Sequence, residues 1–359
     1  MPPKILLTGT TGYIGGSVLH TLYAAHPTYA YTVLLRTVPP SFPHLYPAAR
    51  IIHGDYDDLA TLTAAAADAD IVVHAGNSDH APSLRAILDG LTQNPQPGKP
   101  RFLIHLSGTG LVSDWRRGPY GAPNPRVHSD ADAFDFLTDA PLHGETEELI
   151  RQAWAAAESS PAGSALRTAV VRPPDIYGRG LGPGRKASYW VPWFVREVLG
   201  GPGEEGVGAA FYVGEGANSR GWVGLEDVAR LYLLLVEAAA ERGGDGAGWG
   251  REGYYHAASQ EATQLELAEA VGRILYEKGL IREKEPKQVP LERVDRMIAA
   301  LGVPLIARYL FASNARSSAE RSRKMLGWEP KAPSLWEVLE QDVMDAVEAM
   351  GDKAYFRLA

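Results

Sequence analysis

The sequence predicts an α/β fold built on a doubly wound parallel sheet. Two observations predict it: short apolar runs alternate with helical stretches along the first half of the chain, and a glycine-rich turn joins the first run to the first helix. Parallel strands need a crossover connection, which is usually a helix, and such crossovers are right-handed. Alternation of this kind therefore indicates a parallel sheet with helices packed on both faces.

Six runs have the length and composition of strands, and the first of them suits a strand that is buried on both faces. They are Lys4–Thr8, Tyr31–Leu35, Arg50–His53, Ile71–His74, Arg101–Leu106 and Thr168–Arg172. The stretches between them with helical character are Ser17–Ala25, Leu59–Ala67 and Pro82–Leu91. Ligands of such sheets lie outside the carboxyl ends of the strands, so we expect the residues that follow the runs to share one rim.

Gly9, Gly12 and Gly15 recur at three-residue spacing between the first run and the first helix. Glycines at such a turn let the backbone approach a pyrophosphate, whose charge is favoured at a helix N-terminus. A tight turn that binds nothing would carry the same glycines, so the pattern alone is weak. Its place between a buried strand and a helix, at the start of alternating elements, favours a dinucleotide site.

Arg36 bears on which dinucleotide binds. An NAD-binding chain usually carries Asp or Glu after the second strand, whereas the 2′-phosphate of NADP(H) requires a cation. Here the strand ends in "VLLRTV" without a nearby acid, and the guanidinium fork suits phosphate. An exposed arginine at a strand end is the plain alternative, but the position after a glycine turn predicts that NADP(H) is preferred over NAD(H). Asp55 and Tyr56, after the third run, are candidates for closing over the adenine.

Composition excludes several classes of function. The chain has 359 residues, 45% of them apolar and 22% charged, which is typical of one large globular domain or two smaller ones. The net charge is −8 and no block of Lys or Arg stands out, so nucleic acid is not an expected partner. There are no cysteines, which excludes disulfides and thiol catalysis. The N-terminus lacks a leader pattern and no run of about 18 apolar residues occurs, so we expect a cytoplasmic protein without a membrane partner.

Four separated motifs resemble those of the extended short-chain dehydrogenase/reductase family, also called the NAD-dependent epimerase/dehydratase family. They are "TGTTGYIG" (Thr8–Gly15), "HLSGTG" (His105–Gly110), "RPPDIYGRG" (Arg172–Gly180) and "GWVGLEDVARLYLLLVEAA" (Gly221–Ala239). The tail, with its "LGWEP" before a last helix, also resembles the family. The resemblance implies a Rossmann-like sheet with a smaller mixed α/β C-terminal substrate domain. It puts the dinucleotide domain at 1–178, completed by about 214–258, and the substrate part at 179–213 and 259–359.

The resemblance and the rim positions together give the residues expected to bind cofactor and substrate. By resemblance the glycine turn would contact the pyrophosphate, and the backbone around 173–176 would meet the nicotinamide amide. The cofactor residues expected are Gly9, Thr11, Gly12, Tyr13, Ile14, Gly15, Arg36, Asp55, Tyr56, His74, Ala75, Gly76, Ser107, Pro173 and Ile176. The substrate residues expected are Tyr177, Tyr189, Trp190 and Trp193, although most of these aromatic side chains could equally be domain core.

The sequence departs from the family at its reaction centre, which consists of a Ser or Thr, a Tyr, and a Lys four residues after the Tyr. Thr109 matches the first position, but no Tyr-x-x-x-Lys follows before the sixth run. The resemblance puts His143 in the place of the tyrosine and Glu147 in that of the lysine. Residues four apart share a helix face, so both side chains are expected to point at the nicotinamide. A carboxylate beside a histidine favours imidazolium and keeps a proton donor available.

This replacement leaves the chemistry open. A Tyr–Lys pair stabilises a developing alkoxide by charge as well as by proton transfer, whereas an imidazolium–carboxylate pair is nearly neutral in sum. Alternatively, the helix has lost its catalytic pair and keeps cofactor binding only. His128, Asp130, Asp132 and Asp135 lie in the long insertion before this helix, but their spacing matches no metal loop. We therefore expect a solvated acidic loop and no metal.

Taken together, these patterns predict an NADP(H)-dependent oxidoreductase that acts on a small carbonyl or alcohol, with Thr109, His143 and Glu147 as catalytic residues. Two alternatives stay open. One is an epimerase- or dehydratase-type enzyme that retains its cofactor, and the other is a non-catalytic NADP(H)-binding sensor. A small-molecule substrate is the expected partner, and the sequence leaves a homodimer open.

Overall fold

The computed structural model describes residues 1–93, 98–132, 142–159, 166–201, 203, 205–298 and 301–351. The strands are β1 (Lys4–Thr8), β2 (Ala30–Leu35), β3 (Arg50–His53), β4 (Ile71–His74), β5 (Arg101–Leu106), β6 (His128–Ser129), β7 (Leu166–Arg172), β8 (Asp175–Tyr177), β9 (Phe211–Tyr212), β10 (Ser219–Gly224), β11 (Tyr254–His256), β12 (Gln260–Thr263), β13 (Lys287–Gln288) and β14 (Ser317–Ser318). The helices are α1 (Tyr13–Ala25), α2 (Phe42–Leu45), α3 (Leu59–Asp68), α4 (Ala81–Thr92), α5 (Gly144–Ser159), α6 (Trp190–Leu199), α7 (Leu225–Arg242), α8 (Gln264–Glu277), α9 (Leu291–Val294), α10 (Ile306–Phe311), α11 (Glu320–Leu326) and α12 (Leu335–Glu348).

A seven-stranded sheet forms the centre of the molecule, in the order β11-β7-β5-β4-β1-β2-β3. Every neighbouring pair in it is parallel. The chain starts at β1, runs outward through β2 and β3, and then crosses back to β4 on the other side of β1. The strand order therefore reverses between β1 and β4, which is where sheets of this kind bind their ligands. This arrangement confirms the predicted doubly wound parallel fold.

Helices cover both faces of this sheet because successive side chains of each strand point to opposite faces. Ile5 and Leu7 of β1 pack with α1 and α7, whereas Leu6 packs with α3, α4 and α5. A third apolar core lies among α6, α8, α10 and α12, beside two small sheets, β8-β10-β12 and β9-β13. This is the smaller mixed α/β part that was expected, and its residue limits stay a prediction. Within the described ranges, no helix is both long enough and apolar enough to cross a bilayer.

The start of α1 differs from the sequence-based expectation. The helix begins at Tyr13, four residues before the predicted Ser17, and so contains Gly15 and Gly16. Glycine disfavours helix by about 1 kcal/mol per residue, which is why the pattern suggested a later start. A methyl group on Gly15 would lie 2.4 Å from the carbonyl oxygen of Gly9. Close backbone contact at the turn therefore requires glycine and outweighs its low helix propensity.

Asp342 gives the fold a pH-dependent contact. Its carboxylate on α12 is 8% exposed and accepts the backbone N–H of Gly178 at 2.8 Å. Burial, and then the nearby charge of Asp345, raise the pKa of Asp342 to about 6 against the hydrogen bond from Gly178, which lowers it. Because an unfolded aspartate titrates near pH 4, the folded state binds the extra proton between about pH 4 and 6. Stability is then lost as the pH rises through this window.

We expect Asp342→Asn to raise the free energy of unfolding by about 2 kcal/mol above pH 6 and to change it little below pH 4, since a shift of one pKa unit is worth about 1.4 kcal/mol. The amide oxygen can still accept the Gly178 N–H. Urea unfolding at pH 4, 6 and 8 measures the effect, with Glu348→Gln on the exposed end of α12 as the control. Equal changes at all three pH values would contradict the expectation.

Candidate active site at the carboxyl edge of the sheet

The glycine turn after β1 is shaped by contact with the end of β4. Gly9 has a φ of +75°, and a methyl group there would lie 2.4 Å from the carbonyl oxygen of Ala75. Gly12 lies directly before α1, and no side chain caps the first amides of that helix. The hydroxyl of Thr10 is buried without a hydrogen-bond partner in the described part of the chain. Amides without a side-chain cap at a helix N-terminus, and beside them a hydroxyl that no described residue engages, fit a pyrophosphate.

A loop from the second part of the chain lies over this turn, which the sequence did not indicate. The Arg185 N–H donates to the carbonyl oxygen of Thr11 at 3.0 Å, and the Tyr13 hydroxyl donates to the carbonyl oxygen of Gly178 at 2.6 Å. Gly184 has no room for a side chain, because a methyl group there would lie 2.0 Å from the Thr11 carbonyl oxygen. We call the segment 178–186 the covering loop. It attaches the second part of the molecule to the glycine turn, and Ile14 lies in the first turn of α1.

Arg36 and Tyr56 lie at the ends of β2 and β3. Arg36 is exposed, and none of the described residues forms an ion pair with it. Tyr56 fills the space above Gly76, where a methyl group would overlap its hydroxyl. Asp55 accepts the backbone N–H of Asp57 at 2.9 Å. An exposed cation therefore stands at the adenosine end of the rim, whereas the Asp55 carboxylate already stabilises its own turn.

His74 and His105 form a buried neutral pair beneath the rim. Their ring centroids are 5.2 Å apart, and His74 Nδ1 lies 2.6 Å from the Thr8 hydroxyl. Burial, and then the positive charge of His80, lower the pKa of His74 to about 4. Burial likewise lowers the pKa of His105 well below its usual value. His74 is 1% exposed, so only its unpartnered Nε2 remains to contact a bound group.

His143 lies beside the turn that follows β5. Its Nδ1 is 3.2 Å from the carboxylate of Asp79 and 3.2 Å from the hydroxyl of Ser78, and its backbone N–H also donates to Asp79. Its Nε2 would lie 2.9 Å from a methyl group on Gly108. Burial raises the pKa of Asp79, but the hydrogen bonds and charge of His143 outweigh it, so that this pKa lies below its usual value. The imidazole is thus fixed through Nδ1, with Nε2 at the backbone next to Thr109.

The expectation that His143 and Glu147 share a helix face is wrong. Helix α5 begins at Gly144, and His143 precedes it in a left-handed conformation with a φ of +64°. Glu147 is 1% exposed and forms a two-pronged ion pair with Arg172, whose Nε lies 2.7 Å from Glu147 Oε1. Ser107 donates to the same carboxylate. Asp79, and not Glu147, is therefore the carboxylate beside the histidine, and both Glu147 and Ser107 are engaged inside the molecule.

Thr109 directly follows Gly108, the residue that the imidazole ring approaches. Its backbone N–H donates to the carbonyl oxygen of Pro173 at 3.3 Å, which ties the β5 turn to the segment before β8. Its side chain is 1% exposed, and the hydroxyl has no full hydrogen bond among the residues described. Ile176 is half-buried in β8, where it pairs with Val223 of β10. Thr109 and Pro173 therefore meet where the nicotinamide end was expected.

Two of the expected substrate residues lie in the core. Trp190 is 1% exposed, stacks on Phe194 at 4.7 Å and donates to the carbonyl oxygen of Leu310. The Tyr177 hydroxyl donates to the carbonyl oxygen of Pro333 at 2.9 Å. Aromatic spacing on α6 reflects burial against α10 and the small sheets. The substrate roles of Trp190 and Tyr177 stay predictions, for side chains that are both buried in the core.

The other two expected substrate residues are Trp193 and Tyr189. Trp193 is 3% exposed, and the Arg196 guanidinium lies 5.7 Å from its ring centroid. Tyr189 is half-buried, and its hydroxyl is enclosed without a hydrogen-bond partner in the described ranges. Tyr189 therefore retains an enclosed hydroxyl that a substrate could engage.

The acidic insertion is less solvated than expected. Asp130 is 5% exposed and accepts the backbone N–H groups of Arg321, at 2.7 Å, and His256, at 3.1 Å. It thereby joins the insertion to β11 and α11, so the expectation of a solvated loop is wrong for this residue. Asp135 lies outside the described residues. No three His, Asp or Glu side chains in the described ranges converge to hold a metal ion.

Several polar residues of this site were not predicted as site residues from the sequence. Asp79 follows β4 on the same rim, so its strand-end position was a usable signal. Arg172 opens one of the motifs that resemble the family but was given no role, whereas Tyr309 carried no local signal, because the fold alone brings it to the rim from α10.

Comparisons with known proteins agree with this architecture. The sequence model of the NAD dependent epimerase/dehydratase family matches residues 5–92 and 148–246. A protein described as Oxidase ucsJ, from Acremonium sp., is 29% identical over 98% of this chain and 99% of its own length. A dTDP-glucose 4,6-dehydratase of Mycobacterium tuberculosis is 23% identical over 65% of this chain and 72% of its own.

Solved structures show the same fold at low identity. The PbgP3 protein from Burkholderia pseudomallei superposes with a TM-score of 0.65 and 15% identity, covering 100% of this chain and 99% of its own. The dTDP-glucose 4,6-dehydratase DesIV from Streptomyces venezuelae, solved with NAD bound, gives a TM-score of 0.60 and 19% identity, covering 97% and 98%.

Proposed function

This chain belongs to the NAD-dependent epimerase/dehydratase family, and we propose from this premise that it is an oxidoreductase that uses NADP(H) on a small carbonyl or alcohol substrate. The observation that carries the proposal is the position of His143, held by Asp79 at Nδ1 at 3.2 Å, with Nε2 against the backbone beside Thr109. A titratable ring and a buried hydroxyl without a full hydrogen bond thus flank one turn at the carboxyl edge of the sheet. The names of two relatives, an oxidase and a 4,6-dehydratase, support redox chemistry.

In the proposed reaction the side chains of this chain hold the substrate oxygen and handle its proton. A bound nicotinamide supplies or accepts the hydride. Thr109 donates a hydrogen bond to the reacting oxygen, and His143 exchanges a proton with it at Nε2. Asp79 orients the ring through Nδ1. Glu147 takes no part, because Arg172 and Ser107 engage both of its oxygens.

NADPH consumption tests this function. Purified protein is mixed with NADPH and a panel of small aldehydes and ketones that includes benzaldehyde, cyclohexanone and diacetyl, and the absorbance at 340 nm is followed. We expect multiple turnovers with at least one carbonyl and release of the oxidised dinucleotide. Binding of NADPH without turnover of any carbonyl would refute the proposal and would favour the sensor alternative.

The covering loop favours a second candidate, in which the dinucleotide is retained. This loop lies on the pyrophosphate turn through Thr11 and Tyr13, so a bound dinucleotide could leave only after the loop has moved. Epimerases and dehydratases that regenerate their cofactor need no exchange. Purified protein that carries stoichiometric dinucleotide through gel filtration, and shows no net change at 340 nm during turnover, would support this candidate over the first.

The preference for NADP(H) depends on Arg36. We expect Arg36→Ala to raise the Kd for NADPH by about 10- to 100-fold, which corresponds to losing a charged hydrogen bond of about 1.5–3 kcal/mol. The Kd for NADH should change by less than about twofold, because NADH lacks the 2′-phosphate. Fluorescence titration with both dinucleotides measures this, with Arg50→Ala, at an exposed arginine on the start of β3, as the matched control. An equal loss for both dinucleotides would contradict the proposed preference.

A further inference from the structure

Three polar groups that lack full hydrogen bonds surround Tyr309 of α10. They are the Thr109 hydroxyl, the Arg220 Nη2 and the Tyr189 hydroxyl, all enclosed within the described part of the molecule. A buried polar group without a partner costs about 1–3 kcal/mol, and such groups often mark the place of a ligand or water. Because these three come from separate elements and converge on one phenol, they point to a site for a polar atom of a ligand.

The backbone around Tyr309 is firmly joined to the turn that carries Thr109. The Ser113 and Ser313 hydroxyls are 2.8 Å apart, and the Asp114 N–H donates to the carbonyl oxygen of Asn314 at 3.2 Å. The Trp115 ring lies 5.5 Å from that of Tyr309. The phenol therefore approaches the β5 turn from the C-terminal part of the chain, within reach of the Thr109 hydroxyl.

Arg220 provides positive charge beside this phenol. Its guanidinium carbon lies 4.4 Å from the centroid of the Tyr309 ring, and the side chain is 1% exposed. Its Nε donates to Asp175 at 2.5 Å, whereas its Nη1 faces the Tyr309 carbonyl oxygen and Ser313. The Asp175 carboxylate is therefore on the Nε side of the Arg220 guanidinium, and the Nη side of this guanidinium faces α10.

At the Tyr309 hydroxyl the charge of Arg220 has a larger effect than the charge of Asp175. Burial raises the pKa of Tyr309 most, and Arg220 then lowers that pKa by more than Asp175 raises it. The net pKa stays above the usual value, so the phenol keeps its proton at neutral pH and acts as a hydrogen-bond donor. Tyr189 is a further titratable group that faces it.

We propose that Tyr309 and Thr109 donate hydrogen bonds to the reacting oxygen of the substrate, with the buried Arg220 behind Tyr309 as the source of positive charge. This rests on the proposed function and completes it, because an imidazolium held by a carboxylate is nearly neutral in sum and cannot by itself stabilise a developing alkoxide. The site takes a small molecule whose oxygen carries partial or full negative charge, such as a carbonyl that becomes an alkoxide, or a carboxylate. His143 moves the proton, while Tyr309 stabilises charge.

Acetate tests the site independently of turnover. Its binding is measured by saturation-transfer NMR on the full chain in the presence of NADP⁺. We expect Tyr309→Phe to weaken acetate binding at least tenfold, while the Kd for NADPH changes by less than about twofold. Tyr232→Phe is the matched control, because it removes another enclosed hydroxyl without a partner, on α7 and away from the site. Failure of the wild-type protein to bind acetate, or equal affinity in Tyr309→Phe, would overturn the proposal.

Turnover gives the second readout. With the carbonyl that the wild-type protein reduces fastest, Tyr309→Phe should lower kcat by about 10²–10³-fold, the usual cost of removing one donor to an oxyanion. Tyr309→His, which keeps a donor on the ring, should recover part of that loss. If the wild-type protein binds acetate but reduces no carbonyl, the proposed function fails while the anion site stands. Unchanged kcat in a folded Tyr309→Phe variant defeats this inference alone.

Arg220 is a positioning residue, and two substitutions distinguish the contribution of its charge from a purely structural role. Arg220→Lys keeps the charge and should keep acetate affinity within about threefold. Arg220→Gln keeps a hydrogen bond to Asp175 but lacks charge, and should lose acetate affinity at least tenfold. A purely structural arginine would give the two variants equal affinities at equal thermal stability, and that result would remove Arg220 from the site.

Discussion

Glu147→Ala is expected to lower the free energy of unfolding by about 3–5 kcal/mol, the usual cost of leaving one partner of a buried ion pair without the other. Arg172 and Glu147 are each 1% exposed, and the carboxylate is held by both guanidinium prongs and by Ser107. Removing the carboxylate leaves the guanidinium charged in the interior, where it stacks on Tyr254 at 4.5 Å. Equilibrium unfolding in urea, followed by circular dichroism, measures the loss.

The neighbouring residue provides the matched control. Glu148 lies on the same helix and pairs with Arg151 at the surface, so Glu148→Ala should cost less than about 1 kcal/mol. Glu147→Leu combined with Arg172→Met removes both charges and should recover most of the stability lost by Glu147→Ala, because replacing a whole buried pair with apolar side chains is often neutral. If Glu147→Ala costs no more than Glu148→Ala, the pair is not isolated from water.

Glu147 also marks the limit of prediction from the sequence, because the strands were predicted well and the role of this residue was not. Strands β1, β3, β4 and β5 have the predicted bounds, because each is a short strand-like run that ends at turn residues. The four-residue spacing of His143 and Glu147 predicted a shared helix face, but this rule applies only when both residues lie inside the helix. His143 precedes α5 in a left-handed conformation, and no local pattern in "LHGETEE" distinguishes that start from one a turn earlier.

The long-range partners Asp79 and Tyr309 could not be predicted from the sequence for a different reason. Asp79 lies 64 residues before His143, and Tyr309 lies on a helix of the C-terminal part. Local spacing predicts neighbours along one element, whereas these contacts arise from the crossover order of the sheet and from the packing of α10 against the β5 turn. The resemblance to a known family located the position of the missing Tyr and Lys, but the polar groups that surround that position belong to this fold's tertiary contacts.

We expect His143→Asn to lower kcat by about 10²–10⁴-fold, which is the range that general acid–base groups contribute. The Kd for NADPH should stay within about twofold of the wild-type value. Asparagine is chosen because it tolerates the left-handed φ of +64° better than alanine and can still cap α5. A loss of activity in His143→Asn then reports the missing ring and not a misfolded helix start. Steady-state reduction of the fastest carbonyl, together with NADPH titration, measures both quantities, and His44→Asn at an exposed histidine on α2 is the control.

Asp79→Asn separates orientation of the ring from proton transfer by it. The depressed pKa of Asp79 means that its carboxylate stays ionised at neutral pH, and that its contribution is lost only as the pH falls through and below the usual aspartate range. Asparagine keeps an oxygen near Nδ1 but lacks the charge, so we expect kcat to fall by about tenfold, less than in His143→Asn. The double variant should be no slower than His143→Asn alone, because an orienting residue has no effect once the ring is gone. Additive losses would show that Asp79 contacts substrate or cofactor directly, and activity unchanged in His143→Asn would remove the histidine from the reaction.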